Sequence, residues 1–144
     1  RDMKILVKEY KLQDNVVFTK VITDREDLQC VFAASDLFVF PSVYDNSPLV
    51  IQEAAAFDIP SVLVRNSSSA ENIIDGVNGF LVENDLGDLT KTISGLMNNR
   101  QAIRKAGEGA RKTIYHPWEA IVDDVYQRYT DIIKEHRKSS GKHN

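Results

Sequence analysis

Along this 144-residue chain, short runs that are apolar at every position alternate with longer stretches whose apolar residues fall three or four apart. The first pattern suits a strand covered on both faces, the second an amphipathic helix. Residues 1 to about 11 read as a helix with Met3, Ile5, Leu6 and Tyr10 available for packing, and residues 16–20 as a short apolar strand. Thr23 and Glu26 stand at capping-box spacing and open a helix through Leu28, Val31, Phe32 and Ala34. Residues 37–40 form a strand apolar on both faces. Residues 48–57 follow as a helix opened by Pro48, whose missing N–H costs nothing in a first turn. Residues 61–64 are the next buried strand. Ser67, Ser68 and Ser69 make a loop and residues 71–74 a short turn of helix. Asp75, Gly76, Asn78 and Gly79 then concentrate turn chemistry ahead of a strand at 80–82.

Beyond that strand the pattern is helical. Residues 86 to about 99 place Leu89, Ile93 and Leu96 on one face. Residues 101–115 follow with Ile103, Ala106, Ala110 and Ile114, although Gly107 and Gly109 weaken the middle of that helix. Pro117 opens the last helix, where Trp118, Ile121, Val122, Val125, Tyr126, Tyr129, Ile132 and Ile133 recur at helical steps. Core packing is the ordinary use of such a stripe. From residue 134 the chain turns rich in Lys, Arg, His, Ser and Gly, a frayed tail with only a weak case for anionic lipid. The expected organisation is one domain over residues 1–116, a carboxy-terminal amphipathic helix at 117–136 and a disordered tail at 137–144.

Strands alternating with helices imply an α/β fold, a parallel, doubly wound sheet covered on both faces. The length and the 42% of hydrophobic residues suit a sizeable core. A net charge of −3 argues against a general nucleic-acid binder. The single cysteine, Cys30, can form no internal disulfide and reads as a small buried hydrophobe in a reducing compartment. No apolar run reaches the length of a membrane span and no signal-peptide pattern opens the chain. Arg1-Asp2-Met3 reads like the middle of a helix, which suggests a longer parent protein.

The chemistry concentrates where the strand at 37–40 gives way to the helix at 48–57. A strand, a loop and a helix N-terminus in that order are where α/β proteins bind phosphorylated ligands, because free backbone N–H groups and the helix dipole converge there. The helical neighbours of Glu53 at three and four residues are Leu49, Val50, Ala56 and Phe57, all apolar and none a cation. A solvent-facing structural Glu more often has Lys or Arg at those spacings. Glu53 is therefore either a carboxylate snorkelling at the edge of a buried helix or one held at a cleft wall for ligand hydroxyls. Asp45, taken alone, reads as turn and N-cap chemistry in Asp45-Asn46-Ser47-Pro48.

Read together the pieces form a signature. A strand ending in Pro41-Ser42 precedes Asp45, seven residues separate Asp45 from Glu53-Ala54, and Ile59-Pro60-Ser61-Val62-Leu63-Val64 follows. Residues 15–21 upstream, 71–82 downstream and the helix from Trp118-Glu119 extend the likeness over nearly the whole chain. This pattern resembles the donor-binding half of retaining glycosyltransferases of the two-Rossmann-domain (GT-B) type, glycosyltransferase family 4 (group 1). Two departures stand out. The first acidic residue of that family is normally Glu and is Asp45 here, and a Gly-Phe-Gly-like run is replaced by Asn46-Ser47-Pro48.

The resemblance implies a Rossmann-like carboxy-terminal half whose first strand and glycine-containing loop precede Arg1. A separate amino-terminal domain would hold the acceptor and the catalytic residues, and the last helix commonly crosses back to it, leaving its face partly exposed here. It further implies donor-sugar contacts from Asp45, Asn46 and Ser47, phosphate contacts from the backbone at Leu49 and Val50, ribose contacts from Glu53 and a base contact near Val21. The family's Arg/Lys pair for the diphosphate lies on the preceding segment; Arg65, after a strand end, is a further candidate contact for phosphate or sugar. The implied donor is a UDP or GDP sugar, the acceptor a glycan or lipid-linked sugar in surface polysaccharide assembly. The implied location is cytoplasmic, with peripheral association at the inner face of a membrane also open. No metal is implied, and neither His116 nor His136 has ligand-spaced partners. No nucleic-acid partner is expected, and no dinucleotide or Walker-type glycine loop occurs. Alone, the chain is expected to transfer no sugar. An epimerase-like nucleotide-sugar enzyme and a degenerate, non-enzymatic interaction module are the alternatives.

Overall fold

The computed structural model describes residues 2–45 and 49–140, with side chains up to residue 136. The chain falls into two compact units, residues 1–34 and 35–144. The first unit holds helices α1 (Met3–Glu9) and α2 (Arg25–Ala33). Asp2 caps α1 by accepting from the Lys4 N–H at 2.9 Å. Its far end closes with Lys11 in the left-handed region at φ 55° and the Leu12 N–H on the Val7 carbonyl.

Helix α2 is capped by Asp24 rather than by Thr23. Its carboxylate accepts from the N–H groups of Glu26 (2.8 Å) and Asp27 (3.1 Å), whose own charges suit a helix N-terminus. The strand expected at residues 16–20 does not form. A strand exists only through a ladder, and residues 17–20 have no ladder partner among the described residues. Cys30 is exposed rather than buried, as is Val31 beside it on α2.

The second unit carries the sheet. Strands β1 (Phe38–Phe40), β2 (Ser61–Val64) and β3 (Phe80–Val82) run parallel in the order β1-β2-β3. The register sets Phe40 beside Leu63 and Leu63 beside Leu81, while Val62 pairs with Phe80 and Val64 with Val82. Alternation then sends the two sets to opposite faces. On one face Leu63 packs with Ile51 and Ala55 of helix α3 (Leu49–Ala55), with Phe38 and Phe40 beside them. On the other, Val62, Phe80 and Val82 pack against Leu89 and Leu96 of helix α4 (Leu86–Met97). The doubly wound α/β sheet expected from the apolar runs is thus present. Only β2 is buried at every position; β1 lies at an edge and leaves Val39 exposed.

Helix α5 (Arg100–Thr113) serves both faces, Ala106 on one and Ala110 on the other. Its two glycines are the reason it fits. A Cβ on Gly107 would land on the carbonyl of Asp58, and one on Gly109 on the carbonyl of Val77. Both carbonyls precede strands, so α5 closes the N-terminal edge of the sheet. Asn78, 2% exposed, completes that edge by accepting from the Ile74 N–H and donating to the Asn72 carbonyl and Thr113 hydroxyl.

Residues 71–74 form a non-helical turn, held by these bonds together with the Ile73 N–H on the Ala70 carbonyl at 3.0 Å. Helix α6 (Trp118–Ser140) goes against core packing and with the exposed face that the family resemblance implied. Its apolar stripe is exposed rather than packed, with Trp118 at 67%, Tyr126 at 72% and Tyr129 at 65%. No helix among the described residues is long and apolar enough to cross a membrane.

Candidate functional site

Three parallel strands send their C-terminal ends to one edge, where open α/β sheets bind ligands. There β1 leads into residues 41–45, β2 into Arg65 and the serines, and β3 into Glu83. An open cleft of about 810 Å³ lies at this edge, lined by Val43, Arg65, Asn66, Ser68 and Glu71 among others. A smaller hollow of about 120 Å³ lies beside Pro41, Val82 and Asn84.

The turn after β2 is built residue by residue. Asn66 adopts the left-handed region at φ 62°, a conformation that Asn tolerates, and the Ser67 N–H closes the turn on the Val64 carbonyl at 3.2 Å. The buried Ser67 hydroxyl donates to the same carbonyl at 2.7 Å. A single 3-10 turn, Ser68–Ala70, follows. Its hydroxyls reach across the edge: Ser68 Oγ and Ser69 Oγ both donate to the backbone carbonyl of Asp45, at 3.2 and 3.0 Å.

Asp45 is exposed and its carboxylate has no partner among the described residues. Glu53 sits on the solvent side of α3, opposite the buried Ile51, Ala54 and Ala55, and its carboxylate is likewise unengaged among the described residues. Leu49 and Val50 open α3, and neither N–H has an acceptor among the described residues. The helix ends in a tight reversal. Asp58 takes φ 57° at the position that usually falls to Gly, with the Ile59 N–H on the Ala54 carbonyl. Asn46, Ser47 and Pro48 lie outside the described residues. Val21 belongs to the other unit and is 89% exposed.

Arg65 is committed elsewhere. Its Nε meets Glu83 Oε1 at 3.0 Å and a terminal nitrogen meets Asp75 Oδ2 at 3.2 Å, so two carboxylates hold the guanidinium and tie β2 to β3. The other Asp75 oxygen accepts from the Leu81 N–H at 3.0 Å. Arg65 is a brace, and the cleft gains no free cation from it. Among the described residues no group of three or more His, Cys, Asp or Glu could hold a metal ion. Among the described residues, what remains for a ligand is the two carboxylates without partners, the serine hydroxyls as acceptors and the N–H groups that open α3.

Sequence reasoning missed the serine contacts and the double pairing of Arg65. The run Ser67-Ser68-Ser69 was the visible signal for the first. Arg65 beside a strand end, with acidic residues at the turns after and before β3, was the signal for the second.

Comparison with known proteins points the same way. The sequence profile described as "Glycosyl transferases group 1" matches residues 1–113. The GDP-mannose-dependent alpha-mannosyltransferase of Corynebacterium glutamicum is 28% identical over 130 residues, covering 85% of this chain and 30% of that protein. Sucrose-phosphate synthase from Thermosynechococcus elongatus superposes with a TM-score of 0.78 at 29% identity, over 92% of this chain and 34% of the other. Anabaena Alr3699/HepE, solved in complex with UDP-glucose, shares the fold with a TM-score of 0.71 at 20% identity, over 92% of this chain and 36% of its own. The chain thus spans about a third of the length of the proteins it matches. Its sheet and flanking helices are those of a GT-B glycosyltransferase half, and the chain belongs to the glycosyl transferases group 1 family.

Proposed function

We propose that the chain is the donor-binding half of a retaining glycosyltransferase that moves a hexose from a nucleoside-diphosphate sugar to a glycan or lipid-linked acceptor. The observation that carries this reading is the pair of exposed carboxylates, Asp45 and Glu53, which in sequence flank Leu49 and Val50 at the start of α3; among the described residues neither carboxylate has a partner and neither N–H an acceptor. Glu53 accepts hydrogen bonds from the ribose hydroxyls, which a carboxylate does strongly. The backbone at Leu49 and Val50 meets the diphosphate, and Asp45 the hydroxyls of the sugar. During transfer the bond from the anomeric carbon to the diphosphate breaks, a bond to the acceptor oxygen forms, and the acceptor hydroxyl gives up its proton to solvent. The leaving diphosphate gains negative charge, which N–H donors stabilise.

Arg65 is paired with Glu83 and Asp75, and the family resemblance puts the Arg/Lys pair for the diphosphate on a preceding segment. The chain alone therefore binds donor weakly and transfers no sugar. A GDP-mannose-dependent enzyme among the relatives and a UDP-glucose complex among proteins of the same fold support a nucleotide-sugar donor and leave its base to experiment.

Calorimetric titration of the chain with UDP, GDP and ADP, each also as its deoxyribose analogue, tests the ribose assignment. Glu53→Gln is expected to weaken the preferred nucleotide about tenfold, as loss of a charge-assisted hydrogen bond does. It leaves the deoxyribose analogue within about twofold. An equal loss for both would contradict the assignment.

A further inference from the structure

Asp45 follows a polar turn with no secondary structure of its own, yet it holds the site's first carboxylate. Among the described residues, the bonds that hold its backbone come from elsewhere in the chain. The two hydroxyls that meet its carbonyl belong to residues 23 and 24 positions further on, at 3.2 and 3.0 Å, and they use both lone pairs of that oxygen. Ser69 is 9% exposed and cannot trade its bond readily for water. The serine turn is itself rooted in β2 through the buried Ser67, whose N–H and hydroxyl both reach the Val64 carbonyl. A path of hydrogen bonds thus runs from the centre of the sheet to the peptide of Asp45. Neighbouring Tyr44 is 96% exposed and supplies no packing to hold the loop.

We propose that Ser68 and Ser69 are positioning residues that set the placement of Asp45 toward the donor sugar. This rests on the donor-binding reading above and adds the means by which the shorter acidic residue is held. Among the described residues the hydroxyls bond to the backbone carbonyl of Asp45 and not to its carboxylate, so their removal releases the carboxylate without deleting a contact to it. Glu53 and the start of α3 sit on a helix rooted in the core by Ile51, Ala54 and Ala55, and they keep their places. The expected effect is therefore a split: the affinity added by the sugar falls while nucleotide affinity stays.

The test is a titration of the full chain, followed by NMR, with UDP, UDP-glucose, GDP and GDP-mannose. The variants are Ser68→Ala/Ser69→Ala and Ser68→Thr/Ser69→Ala, the second retaining one hydroxyl. The double alanine variant is expected to lose roughly fivefold in affinity for the sugar conjugate, the scale of two hydrogen bonds shared by one carbonyl, with the bare nucleotide unchanged. The threonine variant recovers most of that loss. Equal weakening of nucleotide and conjugate, or no change in either, would overturn the positioning role while leaving the donor-binding reading intact. No binding of any nucleotide by the unsubstituted chain would overturn both.

Discussion

Helices α5 and α6 differ in burial in the direction opposite to their overall composition. The first is polar in composition and interrupted by Gly107 and Gly109, yet Ala106 and Ala110 are among the most buried residues of the molecule, at 0% and 2% exposure. The second carries an apolar stripe from Trp118 to Ile133 and leaves nearly all of it exposed. Burial here follows how closely the backbone approaches rather than how apolar the side chains are. Without Cβ atoms at Gly107 and Gly109, α5 sits against the carbonyls of Asp58 and Val77, and small residues suffice to fill the space. The large apolar side chains of α6 meet no covering surface among the described residues.

The sharpest way to break this contrast is to give α5 the atoms it lacks. Gly107→Ala or Gly109→Ala drives a methyl into a backbone carbonyl, and each is expected to destabilise the chain by about 3 kcal/mol in urea denaturation, the upper range for overpacking. Gly95 on α4 is the control. A Cβ there meets nothing within 4 Å, so Gly95→Ala is expected to stabilise by about 0.5–1 kcal/mol through helix propensity alone. The smallest effect belongs to α6. Val122→Asp, placed in the apolar stripe at 60% exposure, is expected to change stability by less than about 0.5 kcal/mol in the same experiment. A large loss there would show that the stripe is packed in solution.

Legibility divides along the same line. Strands β2 and β3 were readable because a parallel strand covered on both faces leaves a short apolar run, with burial complete in β2 and near-complete in β3, and turn residues bracket both. Helices α4 and α5 were readable from their period. Residues 16–20 were not, since their apolar character says nothing of whether a neighbouring strand is there to pair with. Cys30 and the stripe of α6 failed for a related reason: apolar residues record that a surface is meant to be covered, not what covers it. At the site, the spacing of Asp45 and Glu53 was plain in one dimension. Their support was not, because the bonds from Ser68 and Ser69 to the Asp45 carbonyl, and from Arg65 to Asp75 and Glu83, join residues that meet only through the parallel order of the sheet.

The central claim is that residues 45–53 receive a nucleotide sugar. Its most direct measurement is a map of NMR chemical-shift changes in the full chain titrated with UDP, GDP, ADP and their glucose or mannose conjugates, repeated in Glu53→Gln. The account predicts that one nucleotide shifts resonances clustered between Asp45 and Glu53, and that Glu53→Gln weakens the response about tenfold. Changes clustered elsewhere, an undiminished response in Glu53→Gln, or silence at millimolar ligand would contradict it.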